Sequence, residues 1–147
     1  MSILTGKYSH GIGVWTNNHI LNSGILTFAH AMGATGYNSV LVGRMHSLGP
    51  DQLQGYAECL VGDRESNYQF VISLPAGKDT DRGELIGAAG PDRISLERSG
   101  SGQSSYQVHD EYVTAADVDY LNKIGIKRKT GEISRSFSLS VGFILPY

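Results

Sequence analysis

Five histidines are the residues best suited to chemistry: His10, His19, His30 and His46 early in the chain, and His109 far downstream. Imidazole binds transition metals and moves protons near neutral pH. The first four lie 9, 11 and 16 residues apart, which matches none of the short paired gaps of structural zinc sites. No His-Glu-x-x-His occurs either. A metal would need the fold to gather them, with His19, His30, His46 and Glu58 presented on inward strand faces. The spacing favours scattered histidines, so no metal, cofactor or catalytic residue is expected.

The remaining candidates fail on local grounds. Cys59 shares a strand face with Ala57 and Val61, where an inert, buried thiol sits. Asp79-Thr-Asp81-Arg-Gly83-Glu84 starts like a calcium loop, but Gly83 takes the fifth ligand position and Gly90 the twelfth. Ser101 stands between Gly100 and Gly102, whereas a nucleophile elbow needs glycines two residues away on each side. His109-Asp110-Glu111 sets an imidazole beside carboxylates, yet neighbours on a strand point to opposite faces. Tyrosines outnumber phenylalanines two to one, 8 against 4. Tyr37 and Tyr106, near turns, are the candidate ligand or interface aromatics, since an apolar ring with a polar tip suits sugars and interfaces.

The elements that must position these residues read as short strands. The 147 residues fit one domain, 1–147. Glycine is abundant, 19 residues without a fixed period, which implies many tight turns. Strands are expected at Gly11–Thr16, Ile25–Ala31, Ser39–Met45, Tyr56–Val61, Tyr68–Leu74, Glu84–Ala88, Arg93–Glu97, Tyr106–Val108 and Phe137–Leu145. One short helix is expected near residues 115–123, opened by Thr114-Ala-Ala-Asp117 and stopped by Gly125, with Val118 and Leu121 on its apolar face. The fold class expected is all-β: an antiparallel β-sandwich or jelly roll with that one helix. Its closing strand sets Phe137, Leu139, Val141, Phe143 and Leu145 on one face, as a core or oligomer strand, with Ile12-Gly-Val-Trp15 as a pairing partner.

A formal charge of −2 leaves no electrostatic footprint for nucleic acid. No apolar run is long enough for a membrane span, and no signal peptide is seen. A single cysteine rules out an internal disulfide.

The ending Val141-Gly-Phe-Ile-Leu-Pro-Tyr147 is similar to the closing strand of C1q/TNF-like jelly rolls, which implies a homo-oligomer, a trimer above all. The Gly-rich chain also resembles the small β-domains of bacteriophage particles, such as head decoration proteins and tail fibres. That resemblance implies a non-enzymatic, self-assembling virion component, made in the host cytoplasm and bound to other particle proteins. A carbohydrate-binding module, with a glycan as partner, is the alternative. A small metal-dependent jelly-roll enzyme is the third reading.

Overall fold

The computed structural model describes residues 1–16, 19–63, 100–132 and 135–145. The described elements are α1 (Ser2–Thr5), α2 (Ser9–Ile12), α3 (Phe28–Ala34), β1 (Asn38–Gly43), β2 (Glu58–Cys59), α4 (Ser105–Lys129) and β3 (Phe137–Gly142). The three strands form one sheet in the order β2-β1-β3. Both pairings are parallel: Val40 opposes Glu58 across one edge, and Asn38 to Gly43 oppose Phe137 to Gly142 across the other. This overturns the expected antiparallel β-sandwich. The fold is a mixed α/β arrangement.

The physical reason lies in β1. Val40 and Val42 face α4 and pack with Val113, joined by Ala116, Tyr120 and Leu139. Leu41 points the other way, into a cluster with Leu4 of α1, Ala29 of α3 and Tyr56. A central strand covered on both faces reads as a continuous apolar run, which is what parallel sheets demand. Every residue from Ser39 to Gly43 is buried.

Several expected strands are helices. Gly11–Thr16 overlaps α2, which ends on Gly13 in the left-handed region at φ 69°. Ile25–Ala31 runs into α3, whose start is fixed by a capping box. Thr27 accepts from the His30 amide, and the His30 ring accepts from the Thr27 amide. Tyr106–Val108 lies in the first turn of α4. Tyr56–Val61 shortens to β2, although backbone bonds extend the pairing from Ala57 N–Ser39 O to Gly43 N–Val61 O. The expected strands at Tyr68–Leu74, Glu84–Ala88 and Arg93–Glu97 lie outside the described residues, as does the Asp79–Glu84 loop.

The helix expected at 115–123 is the middle of a much longer one. Its true capping box is Ser104 with Gln107: the Ser104 amide donates to Gln107 Oε1 at 2.6 Å, and Ser104 Oγ accepts the Gln107 amide at 3.2 Å. Thr114 caps nothing and bonds back to the Asp110 carbonyl at 2.8 Å. Gly125 does not stop the helix. Tertiary contact outweighs its propensity cost of about 1 kcal/mol, because His109, Val113, Ala116 and Tyr120 form a stripe at helical spacing against the sheet. Val118 and Leu121, expected on the buried face, are exposed. Lys127, Arg128 and Lys129 close the last turn, where cations complement the helix dipole.

Candidate functional site at the carboxyl edge of the sheet

Parallel strands end together, and in open α/β sheets the crevice beyond their carboxyl ends is where ligands bind. Here that edge collects Arg44, Met45 and His46 after β1, Gly62 and Asp63 after β2, and Ile144 and Leu145 after β3. The first turns of α4 add His109 and Asp110.

Two glycines set how closely these exits approach. Gly43 has φ +87°, and a Cβ there would overlap the Gly142 carbonyl oxygen and stand 2.7 Å from Val113 Cγ2. A Cβ on Gly142 would overlap the Arg44 carbonyl. The bare backbones let the Arg44 amide donate to Gly142 O at 2.8 Å. Arg44 is thereby fixed one residue past the sheet.

His46 sits in an unusual backbone state, φ 54°, that non-glycine residues seldom adopt. Asp63 holds it there: the His46 amide donates to Asp63 Oδ2 at 3.0 Å, while Asp63 Oδ1 lies 3.9 Å from Arg44 Nε. Arg44 Nη2 is 3.1 Å from His46 Nδ1. A guanidinium only donates, so Nδ1 accepts and the ring proton resides on Nε2. Among the described residues that buried Nε2–H has no partner, and neither does the hydroxyl of Ser47, a residue only 3% exposed. Buried polar groups are normally satisfied. An unmet imidazole N–H on a ring that meets a guanidinium is suited to an anionic oxygen.

The opposite side of the edge is pinned by α4. Asp110 accepts the amides of Ile144 and Leu145, each at 2.9 Å. Partial burial works against its ionisation, but those two amides and His109 outweigh it and hold the carboxyl below its usual range. His109 Nε2 stands 3.1 Å from the carbonyl of Gly62, so the helix also braces the loop carrying Asp63.

No family model matches the chain. A stretch of it is similar to a choline-sulfatase. That protein, from Rhizobium meliloti (strain 1021), is 39% identical over 62 residues, which cover 42% of this chain and 12% of the relative. The matched stretch is thus about an eighth of the choline-sulfatase's length. The relative is named as an enzyme, so the similarity leans against the non-enzymatic expectation.

The histidines do not converge as a set. Among the described residues no group of three or more His, Cys, Asp or Glu side chains is placed to hold a metal. His10 stacks on Tyr8, His30 caps α3 and packs on Gly55, where a Cβ would overlap its ring. Glu58 accepts from Asn38 Nδ2 at 2.8 Å, towards the amino end of the strands and away from His46. His19 and His46 line a common cleft. Cys59, expected to be buried, is exposed. Its Sγ lies 3.2 Å from the Val61 carbonyl, and partial desolvation of the sulfur together with nearby Asp63 pushes the thiol upwards, away from nucleophilic thiolate.

Tyr37 and Tyr106 are partly exposed but lie at opposite ends of the sheet. Tyr37 precedes β1, whereas Tyr106 opens α4, about 21 Å of helix before the Tyr120 that packs on Phe137 at the start of β3. They form no joint rim. Phe137 and Leu139 turn towards α4 as the strand alternation requires. Val141, Phe143 and Leu145 stay partly exposed, and Ile144 is buried in their place. β3 pairs with β1, not with Ile12-Gly-Val-Trp15.

Arg44 and Asp63 escaped the sequence reading, and His46 was one histidine among five. The signal was the run Ser39-Val-Leu-Val-Gly-Arg-Met-His46, an apolar strand ending in Gly and then a cation and an imidazole. It becomes legible only once the strand is taken as parallel.

Proposed function

We propose that the carboxyl edge of the sheet binds the sulfate group of a sulfate ester, as part of a sulfatase-type hydrolase. The observation that carries this reading is the buried Nε2–H of His46, unpartnered among the described residues and held beside the Arg44 guanidinium by a backbone that Asp63 locks. The similarity to a choline-sulfatase supplies the chemical class of the anion. Arg44 contributes charge and planar donors, His46 contributes a directed N–H bond, and Asp63 positions His46. Asp110 and His109 keep the chain exits in place.

Calorimetric titration with inorganic sulfate and with choline O-sulfate tests this. Binding should weaken at least tenfold in Arg44→Ala and in His46→Ala. Equal affinity in the wild type and both variants would remove the reading.

A second reading, self-assembly through the closing strand, draws on the partly exposed Val141, Phe143 and Leu145 of the edge strand and its exit. Light scattering over a dilution series tests it: a mass at a stable multiple of 15.9 kDa supports assembly, and a monomer throughout removes it.

A further inference from the structure

His46 belongs to two surroundings. On one side it meets Arg44 and Asp63; on another it lines a cleft of about 220 Å³ together with Trp15, Ser2, Ser9, Thr16 and His19. The indole of Trp15 is 63% exposed, an unusual position for the largest apolar side chain. Around it stand hydroxyls and an imidazole. Ser2 and Ser9 share a hydrogen bond of 3.3 Å, and the Thr16 amide donates to His19 Nδ1 at 3.2 Å, which leaves the His19 ring proton on Nε2. No carboxylate is among the described residues of this lining.

We infer that this cleft receives the alcohol half of the sulfate ester, and that this half is a sugar ring. The inference rests on the sulfate-ester reading, since His46 joins the anion site to the cleft. Among the described residues of the lining a cationic alcohol would find one indole face and no carboxylate, since Asp63 is turned to the His46 amide and to Arg44. A pyranose presents an apolar face to stack on Trp15 and peripheral hydroxyls that both donate and accept. Ser2, Ser9, Thr16 and His19 supply both kinds of partner. Desolvating a ring here therefore leaves few unmet polar groups.

Trp15 is the chain's single tryptophan, so its fluorescence reports on this cleft alone. The full chain is titrated with inorganic sulfate, glucose 6-sulfate, glucose, and the sulfate ester of a quaternary ammonium alcohol. Glucose 6-sulfate should shift the emission and bind at least tenfold tighter than inorganic sulfate and than the ammonium ester. Calorimetry on Trp15→Ala should show that ratio falling towards one, with Trp15→Phe restoring part of it. A ratio near one in the wild type, tighter binding of the ammonium ester, or an unchanged ratio in Trp15→Ala would overturn the inference. If sulfate and both esters fail to bind while glucose still shifts the emission, the sulfate reading falls and the sugar cleft stands. Silence from all four ligands overturns both.

Discussion

Replacing Gly43 by alanine probes the junction that delivers Arg44 to the carboxyl edge. Two costs add. An L-residue at φ +87° loses roughly 1–2 kcal/mol to contact between its Cβ and the backbone. The new methyl must also displace the Gly142 carbonyl and Val113 Cγ2, both fixed within packed elements, at about 1–3 kcal/mol for overpacking. The total, about 2–5 kcal/mol, is a large part of the roughly 5–15 kcal/mol that stabilises a typical domain. For a chain of this size it lowers Tm by on the order of 10 °C. The control is Gly33→Ala: Gly33 lies inside α3, has no positive φ and would bring its Cβ within 4 Å of nothing. That change should be neutral or stabilising by up to about 1 kcal/mol. Thermal and urea unfolding followed by circular dichroism gives both numbers. If Gly43→Ala and Gly33→Ala melt together, the close approach of β1 and β3 is not as described, and the placement of Arg44 loses its basis.

Other consequences follow from the same structure. Val113→Ala removes two methyl groups from the cluster with Val40 and Val42, and should cost about 2–3 kcal/mol in urea unfolding, since transfer and cavity terms add; a loss under about 0.5 kcal/mol would mean α4 does not pack on this face. Asp110 is held below its usual carboxyl range in the folded chain, so its contribution is present above the unfolded value near 3.9 and is lost as pH falls through the folded value. Asp110→Asn should therefore flatten the acid limb of a stability–pH curve, and an unchanged limb would refute the latch to Ile144 and Leu145. Cys59, though exposed, should react with iodoacetamide at pH 7.5 more slowly than a free thiol, and Asp63→Asn should speed it; faster alkylation in the wild type would contradict the raised thiol.

Much of the fold was hidden for one reason. Short strands of valine and leucine say that a segment is buried, not in which direction its neighbour runs. Ser39–Met45 and Phe137–Leu145 are legible as strands, and the strands are there, though they end earlier, at Gly43 and Gly142. Their parallel pairing depends on α4, and α4 is poorly amphipathic: its inner stripe mixes His109, Val113, Ala116 and Tyr120, while Val118, Leu121 and Ile126 face outwards. Its amino end depends on Ser104 and Gln107, inside the run Gly100-Ser-Gly-Gln-Ser-Ser105, whose composition is that of a loop. The site was hidden by the same error. In an antiparallel sandwich the residue after a strand is a turn residue; in a parallel sheet it stands at the binding edge. Arg44 and Asp63 carry no spacing motif, and His46 gains meaning only from the Nδ1 contact that fixes its tautomer.

The most direct test of the central claim observes His46 itself. Nitrogen-15 NMR of the ring, recorded with and without inorganic sulfate, reads which nitrogen carries the proton and whether it gains a partner. The account predicts an Nε2–H tautomer in the free chain, a downfield shift of that proton on adding sulfate, and no such shift in Arg44→Ala. A proton on Nδ1, or an Nε2 resonance indifferent to sulfate, would contradict it.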